Sequence, residues 1–257
     1  MSVLSVCNLI KKYNKKPVTN DVSFQVNAGE IVGLLGPNGA GKTTAFYQTV
    51  GLIRPDSGKI LFKNTDITKK PMDYRARLGI GYLAQEPTIF KELTVKENLI
   101  CVLEIIYKTR KEQTHLLNAL IDDLQLTTSL HKKAGSLSGG ERRRLEIACV
   151  LALNPSVLLL DEPFANVDPL VIQNVKYLIK ILASRGIGIL ITDHNAKELL
   201  SIADRCYLII DGKIFFEGSS AQMIANPKVR QHYLGDPFSL FLMPSLFSQD
   251  LGTTPSY

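Results

Sequence analysis

The chain is 257 residues long and 45% hydrophobic, with 30 Lys and Arg against 24 Asp and Glu and a net charge of +6. This length and apolar content suit one large domain with an appended subdomain, and the mild basicity, without an aromatic-interleaved basic stripe, gives no ground for a nucleic-acid partner. Cys7, Cys101, Cys149 and Cys206 lack C-x-x-C spacing, the N-terminus lacks a signal-peptide pattern, and no apolar run approaches the ~18 residues of a membrane span. A soluble, reduced, cytosolic chain is expected.

Residues 1–35 alternate in short apolar runs, "LSVCNLI", "VSFQV" and "EIVGLLG", broken by Pro17, Asn20-Asp21 and Ala28-Gly29, and predict strands and turns. "GLLGPNGAGKTTAFYQTVGLI" then passes from a buried strand through a Gly-rich loop into a helix that ends near Gly51. "GKILFKNTDI" reads as a further strand pair. From about 86 to 136 the pattern turns helical: Thr94 and Glu97 form a capping box, and Leu99, Val102, Leu103 and Ile106 follow at helical spacing. A second capping box, Ser138 with Glu141 in "LSGGERRRLEIA", starts another helix. "SVLLLDEP" and "GIGILITDH" are continuous apolar runs separated by a helical pattern at Val171, Val175, Leu178, Ile179 and Leu182, which predicts a parallel sheet covered on both faces. "CYLIIDGKIFFEG" is a hairpin about Asp211-Gly212. The closing stretch "DPFSLFLMPSLFSQDLGTTPSY" is apolar, then polar, with a frayed end expected over Asp250 to Tyr257.

Three stretches carry chemistry. Gly36, Pro37, Asn38, Gly39, Ala40, Gly41, Lys42 and Thr43, followed by Thr44, fit G-x-x-x-x-G-K-[ST] between a strand and a helix, the context in which backbone amides wrap phosphates. Lys42 is expected at the outer phosphates and the Thr43 hydroxyl on Mg²⁺. Asp161, ending a buried strand, is placed to hold Mg²⁺ through its water shell, and Glu162 beside it is the candidate base for an attacking water. Gly139 and Gly140 lower helix propensity just where bare amides at a helix N-terminus would meet an anion. On these residues alone a second anion site and a merely capped helix are both open.

The P-loop, "LSGGE", "VLLLDEP" and "ITDH", in this order, resemble the nucleotide-binding domain of ABC transporters over nearly the whole chain. The resemblance implies an α/β fold: a P-loop NTPase core with an antiparallel β subdomain and an inserted helical (signature) subdomain. The ATP-binding domain would span 1–240, with the helical insertion at about 86–158 and a tail at 241–257. It also implies a homodimer sandwiching two ATP and Mg²⁺, each held by one copy's P-loop and by Ser138, Gly139, Gly140 and Glu141 of the other. Tyr13 matches the aromatic that stacks on adenine. Gln85 matches the glutamine that senses Mg²⁺ and the water, with Ala84 where the family commonly has proline. Asp168 matches the D-loop aspartate, although Asn166 and Val167 depart from the usual Ala-Leu. His194 matches the histidine that contacts the γ-phosphate. Lys11, Lys12, Lys15 and Lys16 read as a solvated turn, and Arg142, Arg143 and Arg144 mainly as solvent face and dimer rim.

Within the family, "SLSGGERRRLEIA", "LLDEPFANVDP", "GIGILITDHNAKELL" and "VRQHYLGDPFSL" are most similar to the branch that powers lipopolysaccharide export. Branched-chain amino acid import ATPases and the soluble ABC ATPase of iron–sulfur cluster assembly are the alternatives. The export reading implies two transmembrane partner subunits and a peripheral position on the cytoplasmic face of the inner membrane. "EPTIFKELTV" would then line the docking groove, with Ile89 and Phe90 as apolar candidates, Phe90 being equally readable as core. Phe238 and Leu240 are expected to pack against the partner copy or their own core.

Overall fold

The computed structural model describes residues 2–165 and 168–235. The chain opens with a hairpin of β1 (Ser2–Tyr13) and β2 (Lys16–Asn27), turned by Asn14 and Lys15, both at positive φ as a tight right-twisted hairpin requires. Next come β3 (Ile31–Leu35), α1 (Lys42–Val50), β4 (Ser57–Phe62), β5 (Thr65–Asp66), α2 (Met72–Leu78) and β6 (Ile80–Leu83). An inserted helical layer follows: α3 (Val95–Ile106), α4 (Arg110–Asp123) and α5 (Gly139–Leu151). The chain returns through β7 (Val157–Asp161), α6 (Pro169–Ser184), β8 (Gly188–Thr192), α7 (Ala196–Leu200), β9 (Arg205–Ile210), β10 (Lys213–Ser219) and α8 (Ser220–Ala225).

Two sheets form. The antiparallel one runs β2-β1-β4-β5, and the larger runs β10-β9-β3-β8-β7-β6. In the larger sheet β9, β3, β8, β7 and β6 are parallel, and only β10 is antiparallel, returning from β9 through the turn at Asp211-Gly212. Every residue of β3, β7 and β8 is buried, the physical reason these strands read as unbroken apolar runs. One core, which includes Leu99, Leu126, Leu145, Ile179 and Ile191, joins the helical layer to one face of this sheet. A second, with Phe46 of α1 among Leu4, Val26, Leu34, Leu159 and Leu190, fills the space between the two sheets.

Parallel strands end on the same side. The C-terminal ends of β3, β6, β7 and β8 therefore deliver residues 36–44, Gln85, Asp161-Glu162 and Asp193-His194 to one edge of the sheet, where α/β folds bind ligands. Asn166, Val167, Phe238, Leu240 and the stretch 241–257, with the expectations attached to them, lie outside the described residues.

Candidate nucleotide site

The loop between β3 and α1 is shaped for backbone recognition. Gly41 stands at the N-cap of α1 at φ 98 with no side-chain cap, and a Cβ there would strike the Val18 carbonyl. Only glycine fits, and the first amides of α1 are left without an intrahelical partner. The Lys42 ammonium folds back over the loop and donates to the Gly36 carbonyl at 2.6 Å and the Pro37 carbonyl at 2.9 Å. Burial pushes it below the ordinary lysine value, and the Glu162 carboxylate opposes that shift. Pro37, Asn38, Gly39 and Thr43 are exposed, Thr44 is half-buried and Ala40 is buried. A loop with bare amides, a withdrawn ammonium and an accessible hydroxyl suits a polyphosphate.

Asp161 ends β7 at 2% exposure. The Tyr82 hydroxyl donates to its Oδ2 at 3.4 Å, and the Tyr47 phenol of α1 also interacts with this carboxyl. Burial raises this carboxyl above its ordinary value, and the Tyr47 interaction offsets part of the rise. A buried carboxylate at the end of β7 and an exposed Thr43 hydroxyl at the start of α1 are oxygen donors of the kind a hard cation such as Mg²⁺ takes.

Glu162 follows at φ 45, with its amide donating to the Thr192 carbonyl at 2.7 Å. Gln85 Nε2 donates to Glu162 Oε2 at 2.9 Å, and His194 Nδ1 lies 3.3 Å from the same oxygen. Three residues singled out separately in the sequence thus meet at one atom. Asp193, visible in the sequence only as part of "ITDH", is fully buried and accepts from the amides of Phe164 at 3.0 Å and Asn195 at 2.8 Å. It ties the loop after β7 to the loop after β8, and so sets Glu162 against His194.

Ser138 caps α5 in a complete capping box: Glu141 N–H donates to Ser138 Oγ at 3.3 Å, and Glu141 Oε2 accepts from Ser138 N–H at 3.0 Å. Glu141 Oε1 accepts from the Ser129 hydroxyl and from Lys132 Nζ at 3.2 Å. The Ser129 and Ser138 hydrogen bonds hold the Glu141 carboxyl down at about 2, so it is anionic and fully engaged within its own chain. The glycines beside it are not. Among the described residues, nothing lies within 4 Å of where a Cβ on Gly139 would stand, and at Gly140 only Val171 does, at 3.7 Å. Packing among the described residues gives no reason for either glycine. No hydrogen bond or ion pair among the described residues joins Ser138–Glu141 to the P-loop.

Asp168 accepts from the Leu170 amide at 2.9 Å and caps α6. Tyr13 ends β1 with its ring 47% exposed and Lys11 Nζ 5.7 Å from its centroid. Lys11 itself pairs with Asp56 at 2.9 Å instead of lying free in a solvated turn. Two expectations need correction. Ile89 is core and drops out as a groove candidate, whereas Phe90 is 61% exposed and not core, because Asn98 of α3 binds both the amide and the carbonyl of Phe90 and holds the backbone there. Arg143 is no solvent-facing residue: its Nη1 pairs with the buried Glu146 at 2.9 Å, and the Nε atoms of Arg143 and Arg144 are both buried without a partner among the described residues.

The ABC transporter family profile matches residues 19–165 of this chain. The chain belongs to the ABC transporter family. As an ABC cassette it is an ATPase whose hydrolysis is coupled to transport. It is 49% identical over 238 residues to the lipopolysaccharide export system ATP-binding protein LptB of Acidithiobacillus ferridurans, covering 93% of this chain and 99% of that protein. It is 46% identical over 241 residues to LptB of Escherichia coli K12, covering 93% and 100%. Among solved structures, the ADP conformation of MJ1267, an ATP-binding cassette of an ABC transporter, superposes with a TM-score of 0.81 at 30% identity, covering 92% of this chain and all of that one. No helix among the described residues is long and apolar enough to cross a membrane.

Proposed function

We propose that this ABC ATPase closes as a homodimer around two Mg²⁺-ATP on the cytoplasmic face of the inner membrane and so powers lipopolysaccharide extraction by two transmembrane partner subunits. The observation that carries the dimer is Gly139: a glycine at a capped helix N-terminus that nothing among the described residues requires, in a protein that already has a complete P-loop. A second copy's triphosphate supplies the missing partner. The export assignment is supported by LptB relatives that match over nine-tenths of this chain and almost all of their own length.

Each residue has a role in this reading. The backbone N–H groups of 38–44 and the Lys42 ammonium, once drawn from the Gly36 and Pro37 carbonyls, grip the phosphates, while Tyr13 stacks on the adenine. Thr43, Gln85 and, through water, Asp161 would hold Mg²⁺, which offsets charge on the outer phosphates. Glu162 takes the proton of the attacking water, held in place by Gln85 and His194, and His194 meets the γ-phosphate. Ser138, Gly139 and Gly140 contact the ATP of the opposite copy, with Asp168 at the same seam, and Glu141 shapes that helix end. Because the γ-phosphate touches both copies, its loss returns the dimer to the open state. Phe90 is the exposed apolar contact for a membrane subunit.

The test is isolation from membranes followed by reconstitution. Two membrane-spanning proteins are expected to co-purify, and vesicles holding all components are expected to release lipopolysaccharide with ATP and not with the Lys42→Ala variant. Recovery only in the soluble fraction, without membrane proteins, would leave a soluble ABC ATPase as the better reading.

A further inference from the structure

The buried carboxylate at the end of β7 interacts with two phenols from different elements. The Tyr82 hydroxyl donates to Asp161 Oδ2 at 3.4 Å from β6, the strand paired with β7 through Tyr82 and Leu159, and the Tyr47 phenol of α1 interacts with the same carboxyl. Between them lies Phe46, fully buried, with ring centroids 6.3 Å from Tyr47 and 6.2 Å from Tyr82. Packing alone would be served by phenylalanine at both positions. The hydroxyls are what differ, and both interact with one carboxylate.

Position in the chain adds a second argument. Tyr47 is four residues beyond Thr43 on α1, so the phenol and the hydroxyl proposed for Mg²⁺ share a helix face. Tyr82 is three residues before Gln85, where β6 leads to the other proposed ligand. The two phenols therefore link Asp161 to the very elements that carry Thr43 and Gln85.

We propose that Tyr47 and Tyr82 are positioning residues for the Mg²⁺ of bound ATP, fixing the Asp161 carboxylate in the orientation from which its water-mediated contact with the cation is made. The proposal rests on the assignment of Asp161 to Mg²⁺. Its logic is that of partners that orient metal-site ligands elsewhere: a carboxylate free to rotate loses both affinity and geometric selectivity for the ion.

The experiment is a Mn²⁺ titration followed by electron paramagnetic resonance, on the full chain with a non-hydrolysable ATP analogue, in wild type, Tyr82→Phe, Tyr47→Phe with Tyr82→Phe, and Asp161→Asn. The double variant is expected to bind Mn²⁺ about tenfold more weakly, with a smaller loss for Tyr82→Phe, while affinity for the analogue in EDTA stays at the wild-type value. The EDTA measurement separates positioning from general damage, since a merely structural role would weaken both. Wild-type Mn²⁺ affinity in the double variant, with loss in Asp161→Asn, overturns the tyrosine role and keeps the metal assignment. Wild-type affinity in Asp161→Asn overturns the metal assignment itself. If the double variant does not fold, Tyr82→Phe alone decides, because it removes a hydroxyl at 3.4 Å and leaves the ring contact with Phe46.

Discussion

Glu162 combines a left-handed backbone, φ 45, with a carboxylate shared by Gln85 and His194. Such a conformation costs a non-glycine residue of order 1–3 kcal/mol, and here the Glu162 amide bond to Thr192 and the Asp193 bond to Phe164 hold it. Replacing the proposed base while keeping its shape should separate binding from chemistry: Glu162→Gln is expected to slow hydrolysis by ~10²–10⁴ with ATP affinity retained. Single-turnover assays beside equilibrium nucleotide binding check this, and wild-type turnover with normal binding would remove Glu162 from the base role. Glu141 makes a prediction of a different kind. Its carboxyl is lowered from 4.5 to about 2 in the fold, so the stability it contributes is fully present above 4.5 and disappears as pH falls toward 2. Urea unfolding of wild type and Glu141→Gln should accordingly differ at pH 6 and converge as the pH approaches 2, whereas a gap independent of pH would mean that the carboxylate's charge is not what matters.

At the scale of elements, two helix starts with glycine should respond in opposite ways. Gly41→Ala places a Cβ against the Val18 carbonyl at a positive φ and should destabilise the fold by roughly 2–4 kcal/mol. Gly139→Ala meets empty space and raises helix propensity, so thermal stability should hold or increase by up to about 1 kcal/mol, while ATP-dependent dimerisation is lost. Calorimetry paired with light scattering reads both quantities, and intact dimerisation in Gly139→Ala would show that no ligand approaches there. The legibility of the elements followed the same chemistry. The buried parallel strands announced themselves as apolar runs, and the capping boxes at Thr94 and Ser138 fixed the starts of α3 and α5. α2 and β6 were silent because α2 buries an arginine: Arg75, 1% exposed, donates to the carbonyls of Gln48, Thr49, Thr68 and Lys70, so a charge stands where the periodicity needs an apolar residue. Likewise the site's motif residues could be read from spacing, whereas the phenols on Asp161 and the bracing by Asp193 depend on strand order, which spacing does not encode.

For the molecule as a whole, the parallel sheet gathers the proposed phosphate, metal and base residues at a single edge, and among the described residues no hydrogen bond or ion pair joins them to the capped, glycine-bearing N-terminus of α5. If ATP bridges two copies, each site draws on both chains, and lesions in the two halves of the site must complement. The direct test is a mixed dimer, purified with different tags, of one Lys42→Ala copy and one Ser138→Arg copy. Both lesions then fall in the same site and the other site is intact, so the mixed dimer should recover about half of the wild-type ATPase rate while either parent homodimer has almost none. A mixed dimer no more active than its parents would contradict a nucleotide site shared between copies.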